Sequence, residues 1–302
     1  MSSRMFIVIT DYNGFSQTEK CLQSLRNSIF KDFSIVIVDH GNTDETRVKL
    51  AEKFPEVFRI SGSSDLWWAG ASNLGVCYAL DQGAEIIMLL NNDCYVTPDT
   101  VNELFVLWLS QRDAIIAPVQ RDWRSGKITI ITPRCLFLLG FPSMQGPQRI
   151  SQGMFSKRLL PTKLIAGGRG ALIPAPVFRA YGLFDEKHLP HYWADHDFYL
   201  RVHRHGVPLL IASRSIVDID NSRTTIAENS ERLNLYQWFD TLHSVRSHRN
   251  LVHVLELFKR HYPVKQLYLI GVMLYIGRYF VIYMMKRTIS ILFHHRKKTE
   301  KE

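Results

Sequence analysis

Short apolar runs alternate with amphipathic stretches as far as about residue 117, a rhythm that predicts a parallel sheet with right-handed helical crossovers. Phe6 to Ile9 reads as a first strand. Ser16 and Glu19 make a capping box for the next helix, which turns Leu22 and Leu25 inward. Ser34 to Val38 is a second strand, closed by the polar run Asp39-His-Gly-Asn-Thr-Asp44. Asn42 or Thr43 caps a helix that ends near Phe54, before Pro55. Val57 to Ile60 is a third strand, and Ala71 to Leu80 a helix closed by Gly83. Ile86 to Leu90 is a fourth strand, short and apolar enough to be buried on both faces. It stops abruptly at Asn91, Asn92 and Asp93. Thr97 then reads as an N-cap with Pro98 at the first helical position, ahead of an apolar face of Val101, Leu104, Phe105 and Trp108.

Beyond this point the rhythm changes. Trp123 to Thr132 reads as a hairpin turning at Arg124-Ser-Gly-Lys127. Residues 134–163, rich in Pro, Gly and Arg, read as a long mobile loop of the kind that covers a site. Leu164 to Ile173 contains Ala166-Gly-Gly-Arg-Gly-Ala171, where glycines allow either close backbone approach to a ligand or a bulged strand. Ala194 to His205 is a helix closed by Gly206, with short strands at Val207–Ile211 and Ser215–Ile219. From Ser230 onward the pattern is helical, with one stripe at Leu235, Phe239 and Leu242 and another at Leu251, Val254, Leu255 and Phe258. No internal repeat is visible.

A chain of 302 residues is long enough for one substantial core with an appendage. The boundary falls near residue 229: a sheet domain over 1–229, divided into an alternating strand–helix part to about 117 and a second part from about 118, then a helical region over 230–302. The net charge of +9 is concentrated at the end, in Lys286, Arg287, Arg296, Lys297, Lys298 and Lys301. These charges flank apolar residues instead of interleaving through the fold, which fits an anionic membrane surface better than nucleic acid. Cys21, Cys77, Cys94 and Cys135 form no Cys-x-x-Cys pair, so neither a disulfide framework nor structural zinc is expected. The N-terminal Met-Ser-Ser-Arg-Met runs straight into a strand and is not read as a signal peptide.

Parallel sheets bind ligands at the carboxyl ends of their strands. Neither Gly-x-Gly-x-x-Gly nor a Walker A loop follows the first strand, which excludes the common dinucleotide and P-loop sites. What stands at the strand ends is Asp39, suited to hydrogen bonds from a base or ribose, and Asn92 with Asp93. A carboxylate there suits a divalent cation bridging to a phosphorylated ligand; the same cluster also serves as a plain polar turn.

Five blocks in order carry a resemblance: Thr10-Asp-Tyr-Asn13, Ile35 to Asp44, Leu66-Trp-Trp-Ala-Gly-Ala-Ser-Asn-Leu-Gly75, Leu89-Leu-Asn-Asn-Asp93, and Tyr181 to Glu186 with Trp193-Ala-Asp-His-Asp-Phe-Tyr-Leu-Arg201. Together, over roughly residues 4 to 260, they resemble family 2 glycosyltransferases of the α/β GT-A fold, nearest the bacterial rhamnosyltransferase-like branch. The resemblance implies inverting transfer from a nucleotide sugar, dTDP-rhamnose or a UDP-hexose, to a polyprenyl-diphosphate-linked saccharide of a surface polysaccharide. It implies donor contacts from Thr10, Tyr12, Asp39, Asn73, Asn92 and Asp93. Asp93 would hold Mg²⁺ or Mn²⁺, with Asn91 at the motif's first position leaving one fewer charge for it. The catalytic base falls on Asp195, and Gly168, Trp193 and Asp197 fall on the acceptor side.

Independently of the family, Asp195 beside Trp193 and a Gly-rich strand is open to partial desolvation, which raises a carboxylate's pKa; it also reads as a plain N-cap. The Trp67–Trp68 pair suits a sugar stack, a pocket wall or the core. Two positions depart from the family. Ala194 replaces the Glu before the base, and the His expected after the late strand is missing from Ser215-Ile-Val-Asp-Ile-Asp220, where Asp218 or Asp220 would have to substitute. These departures leave a rival, a non-catalytic relative that binds nucleotide sugar or partner enzymes.

Leu267 to Met285 carries one formal charge, Arg278, against nine Leu, Ile, Val or Phe. At about −0.3 to −0.6 kcal/mol each against roughly +2.5 to +3.5 for a central Arg, insertion nearly cancels. Four tyrosines and the basic flank favour a helix in the plane of the interface, ahead of a spanning one and of a core or homodimer helix. Residues 264–302 would thus hold the enzyme peripherally on the cytoplasmic face of the bacterial inner membrane, where the lipid-linked acceptor lies.

Overall fold

A computed structural model describes residues 5–144, 156–223 and 233–299, which fall into two compact units: residues 1–134 with 144–221, and residues 135–143 with 222–302. The first unit is a mixed α/β domain. Its apolar runs form β1 (Met5–Asp11), β2 (Ser34–Asp39), β3 (Phe58–Ser61) and β4 (Ile86–Asn91), all parallel, with α1 (Phe15–Arg26), α2 (Asp44–Lys53) and α3 (Trp67–Asp81) as crossovers. After β4 the chain adds β5 (Cys94–Val96), α4 (Thr100–Ser110), β6 (Ile115–Asp122) and β7 (Ile128–Ile130), the last two closing the expected hairpin. Later come β10 (Leu159–Thr162), β11 (Arg169–Pro174), α5 (Ala175–Tyr181), α6 (Ala194–Arg204) and β12 (Leu209–Ile219); β8 (Arg134–Leu136) and β9 (Phe141–Met144) pair separately. The main sheet runs β10-β12-β6-β11-β4-β1-β2-β3, with β11 antiparallel to β4 and β6. Chain order reverses about β1, which lies between β2 and β4. The crevice outside the carboxyl ends of β1 and β4 is therefore a topological switch point, where open α/β sheets take ligands.

The core alternates as the strand pattern requires. Ile7, Ile9, Ile37, Met88 and Leu90 lie under Leu22 and Leu25 of α1, all essentially excluded from solvent. On α3, a Cβ at Gly75 would stand 2.4 Å from Val8 Cγ1, so glycine lets this helix press onto β1.

Several local expectations are corrected. The Ser16–Glu19 capping box does not form. The Asp11 carboxylate takes the Gly14 N–H at 2.9 Å and starts α1 at Phe15, one residue earlier. Thr43, not Asn42, caps α2, accepting from Thr46 N–H. Thr97 is not an N-cap: its hydroxyl bonds that of Thr100 in the turn preceding α4. The two short strands after residue 206 are one bulged strand, β12, whose far half also pairs with the unforeseen β5. The expected loop over 134–163 contains β8, β9 and β10; its residues 145–155 lie outside the described residues, as does Ser230.

The second unit contains α7 (Leu235–Asp240), α8 (Leu251–His261) and α9 (Tyr268–Thr299), with 3-10 turns at Phe137–Leu139 and Lys265–Leu267. Its buried anchor on α7 is Trp238, flanked by Phe280 and Tyr283; Leu235 and Phe239, expected to point inward, are exposed. On α8 the inward stripe holds at Val254 and Phe258, joined by Leu257. Lys265–Ile289 is long and apolar enough to cross a membrane by length and composition. Lys301 and the side chains of Arg296, Lys297 and Lys298 lie outside the described residues.

Candidate active site

The strand ends converge first on Asp11. Its side chain is wholly buried where β1 meets β2 and β4, with Thr10 in register with Val38 on one side and Asn91 on the other. Asp11 Oδ1 accepts Gly14 N–H and Asn92 Nδ2 at 3.1 Å, and Oδ2 accepts Asn42 Nδ2 at 3.0 Å. One carboxylate thus ties together the loops that follow three parallel strands. Burial pushes its pKa up, against the pull of the Asn42, Gly14 and Thr18 hydrogen bonds. The same Asn92 amide also donates to Thr18 Oγ1 at 3.0 Å, so Asn92 is held in place from two sides.

Asp39 is nearly buried, and each of its oxygens already has a donor. Oδ1 accepts Asn42 N–H at 3.0 Å, and Oδ2 accepts Arg47 Nε at 2.7 Å in an ion pair. Next to it Tyr12, 45% exposed, lies across Gly41 so closely that a Cβ there would be 2.5 Å from the ring. The His40 ring stands 5.4 Å away, its pKa lowered by burial despite Asp39 beside it. Thr10, Tyr12, Asp39 and His40 therefore gather at one end of β1 and β2, where Tyr12 alone of the four is exposed above a committed acid.

Asn91 and Gly168 form the central contact. Asn91 N–H donates to Gly168 O at 2.7 Å, and Asn91 Oδ1 accepts Trp68 Nε1 at 2.9 Å. A Cβ on Gly168 would meet the Trp68 ring at 2.7 Å, so the Gly-rich segment is there for close approach. Trp68 also packs edge-on against Phe184, which makes it a wall residue; Trp67 lies by His191. Asn73 is engaged on both sides of its amide: Nδ2 donates to Phe184 O and Glu186 Oε2, and Oδ1 accepts Phe184 N–H. It fastens α3 to residues 184–186.

One residue before Gly168, the Gly167 N–H donates to Asp195 Oδ2 at 2.7 Å. Asp195 sits in the first turn of α6, after Trp193, whose φ of +74° sets the helix entry. Its Oδ1 lies 3.0 Å from His196 Nδ1, and its side chain is 14% exposed. The expected rise in pKa does not occur. Burial pushes Asp195 up, but the His196 ring and the Gly167 N–H outweigh it and hold the carboxyl below the usual range. Asp197 is buried, 3.8 Å from Arg201, which in turn donates to Leu183 O; the pair braces α6 against the 181–183 segment. A side chain that sequence reasoning passed over, Arg169, donates to Gln120 Oε1 at 3.0 Å, while Gln120 Nε2 holds Ala166 O.

The acids proposed for a metal differ in their commitments. Asp218 is held bidentate by Arg121, at 2.6 and 2.8 Å. Asp220 accepts the Tyr95 hydroxyl, and its N–H donates to Asp93 O, so of the two it is the one beside Asp93. Asp93 Oδ1 accepts the weakly donating Cys94 thiol at 3.3 Å. Among the described residues no group of three or more His, Cys, Asp or Glu is poised around a metal. One carboxylate beside a diphosphate nevertheless fits Mg²⁺, which keeps waters and takes its remaining ligands from substrate phosphates.

Residues 6–179 match the model of glycosyl transferase family 2. The chain belongs to this family. The GalNAc-T7 structure with UDP, GalNAc and Mn²⁺ superposes with a TM-score of 0.59 at 16% identity, over 72% of this chain and 43% of that one. S. aureus TarS 1–349 superposes with a TM-score of 0.53 at 12% identity, over 87% of this chain and 73% of that one, and its complex with UDP gives 0.53 at 13%. The chain thus spans less than half the length of the GalNAc-T7 chain it matches. At these identities the likeness is one of fold, and it establishes the GT-A architecture. No curated protein sequence matches significantly. The family match stops short of α6, so Asp195 stands on the geometry around Gly167 and on the ordered sequence blocks.

Proposed function

We propose that this family 2 chain is an inverting glycosyltransferase that moves a sugar from a nucleotide-diphosphate donor to a saccharide carried on a polyprenyl diphosphate. The observation that carries the reading is the bridge at Gly167–Gly168: its carbonyl side grips Asn91, beside Asp93, and its N–H side grips Asp195. A candidate diphosphate site and a candidate base thereby share one rigid turn.

Tyr12 and His40, with Thr10 and Asp39, frame the base and ribose. Asn92 and Asp93 face the diphosphate, and Asn73 supports it through residues 184–186. Mg²⁺ or Mn²⁺ on Asp93, when bound, would neutralise charge on the departing diphosphate. In the transfer step the acceptor hydroxyl gives its proton to Asp195. The oxygen's electron pair forms the new bond to the anomeric carbon, and the nucleoside diphosphate leaves with the old one. Proton transfer of this kind supplies about 10²–10⁴-fold. Gly168, Trp193 and Asp197 shape the acceptor side. A UDP-hexose fits the UDP named for the TarS and GalNAc-T7 structures; dTDP-rhamnose fits the resemblance of the sequence blocks.

The helical unit supports a peripheral place on the cytoplasmic face of the bacterial inner membrane. α9 is not an isolated span. Tyr275 donates to His248 O, while Tyr283 and Arg287 both donate to Leu233 O. Arg278 donates to Gly140 O and lies 3.8 Å over the Phe141 ring, so its charge is used inside the unit. A helix fastened along one side to polar backbone suits the plane of the interface better than the bilayer centre.

The test is a donor screen. Purified full-length protein is titrated with UDP-glucose, UDP-galactose, UDP-N-acetylglucosamine and dTDP-rhamnose, each with Mg²⁺ or Mn²⁺, then assayed for transfer to lipid-linked saccharides. One donor is expected to bind and be consumed, and Asp195→Asn to keep binding while turnover falls about 10²–10⁴-fold. Metal-dependent donor binding without consumption by any acceptor would instead favour the non-catalytic relative.

A further inference from the structure

His196 is the buried titratable group closest to the chemistry that the transfer step leaves unused. It follows Asp195 in the first turn of α6, is 8% exposed, and stands edge-on to Trp193 with ring centroids 5.0 Å apart. Its Nδ1 meets Asp195 Oδ1 at 3.0 Å, while its Nε2 is buried with no hydrogen-bond partner. An ionised carboxylate only accepts, so the proton in that contact belongs to Nδ1. The other carboxylate oxygen is occupied by Gly167 N–H at 2.7 Å. Asp195 is therefore held by two donors on two different elements, one per oxygen.

We propose that His196 is a positioning residue for the base: its Nδ1–H, opposite the Gly167 N–H, pins the Asp195 carboxylate in one rotation and in its charged form. The inference rests on the reading of Asp195 as the base. A helix-packing histidine would need only the Trp193 contact. The directed Nδ1 contact to the acid, with Nε2 left unsatisfied, is the costlier arrangement and calls for a compensating role. The charge balance agrees, since burial pushes this acid's pKa up and His196 is the largest opposing influence. The other groups around the pair are accounted for. Tyr199 donates to Gly167 O, and its own ionisation is suppressed by burial and by Asp195. Asp197 pairs with Arg201, and Arg169 is turned to Gln120. The consequence is a base that stays ionised well into mildly acidic solution, with its oxygens fixed before the acceptor arrives.

The test follows the carboxyl directly, with no substrate required. In full-length protein labelled with [¹³C]aspartate, the Asp195 carboxyl resonance is identified by its loss in Asp195→Asn and titrated in wild type, His196→Leu and His196→Asn. His196→Leu is expected to move the midpoint to higher pH. His196→Asn, whose side-chain N–H reaches about as far as Nδ1, should restore most of the wild-type value. The same displacement should appear in the acid limb of kcat/KM for whichever donor is consumed, with kcat reduced and KM little changed. If His196→Leu fails to fold, His196→Gln, whose amide extends to the Nε2 position, replaces it as the variant lacking the donor. Identical midpoints in wild type and a folded variant lacking the donor overturn the proposal. The two failures are distinct: Asp195→Asn with full turnover removes the base and this inference with it, whereas an inactive Asp195→Asn beside an unmoved acid limb in His196→Leu removes only the inference.

Discussion

At the scale of single residues the site depends on a buried acid that touches no expected ligand. Asp11 accepts the Gly14 N–H, the Asn42 amide and the Asn92 amide, so apolar replacement strands the buried Gly14 and Asn42 donors and leaves the part-buried Asn92 amide with Thr18 alone. At about 1–3 kcal/mol for each unsatisfied group, Asp11→Leu should cost several kcal/mol and unfold a marginal domain. Asp11→Asn should be tolerated, because Asn42 Oδ1 is itself buried without a partner and an amide flip lets it accept from the new Nδ2. The pH dependence has a definite sign. Burial raises the folded-state pKa of Asp11, so its contribution is most favourable below the usual carboxylate range and is lost as pH rises through the raised value. The Tm of Asp11→Asn relative to wild type should therefore climb from acid to neutral pH; a constant difference would show that Asp11 has no such shift. Asp11 was visible in the sequence only as one letter of Thr10-Asp-Tyr-Asn13. Its role was illegible because the three donors come from residues 14, 42 and 92, a convergence that only the register of β2-β1-β4 creates. The places of Asp93 and Asp195 in the fold were legible because each lies where a local pattern breaks, one at the end of an apolar strand and the other at the opening of an amphipathic helix; the roles proposed for them come from the resemblance.

At the scale of elements, periodicity located strands and helices well and their ends poorly. The capping box at Ser16 lost to Asp11 because a carboxylate three residues before Gly14 N–H is a stronger acceptor than a serine hydroxyl. The break between the two late strands proved to be a bulge, since Ser213 and Ser215 turn to Lys157 O and Thr100 O without ending β12. Two glycines in close contact, Gly75 on α3 and Gly168 before β11, differ in what they touch. At Gly75 a Cβ would stand 2.4 Å from Val8 Cγ1 and 3.0 Å from Val38 Cγ2, so Gly75→Ala must lift α3 off β1 and β2. Overpacking of this kind costs about 1–3 kcal/mol, read as a lowered midpoint in urea with an unchanged slope. Gly168→Ala meets Trp68 and Asn91 instead of the core. It should spare most of the stability and lower donor consumption, and the reverse order of effects would place these two glycines in the wrong roles.

At the scale of the whole chain, the basic surplus and the apolar helix underlie the proposal that the second unit rests on an anionic bilayer. On α9 the side toward its own unit carries Val272, Tyr275 and Tyr283, whereas Leu269, Met273, Leu274, Val281 and Met285 are exposed. The 3-10 turn adds Leu138 and Leu139, 55% and 60% exposed, and a Cβ on the following Gly140 would lie 2.8 Å from Leu274 Cβ, so this turn packs against the same helix. Arg278, which in the sequence weighed against a spanning helix, is engaged within its own unit by its bond to Gly140 O and its place over Phe141. Lys286, exposed after these apolar residues, should add roughly 1 kcal/mol near an anionic surface. The full chain should therefore float with vesicles containing phosphatidylglycerol, less so with pure phosphatidylcholine, and less as salt rises. Met273 and Met285 are 64% and 60% exposed, so Met273→Asp with Met285→Asp leaves the unit's core intact. Losing about 1.5 kcal/mol or more of burial at each site should weaken vesicle binding by roughly a hundredfold. Leu138→Asp with Leu139→Asp should act in the same direction, although these residues lie far away in sequence. Alkaline carbonate separates the remaining alternative: an in-plane α9 is released into the supernatant, and retention in the pellet would mean that the Tyr283 and Arg287 bonds to Leu233 open to let the helix span.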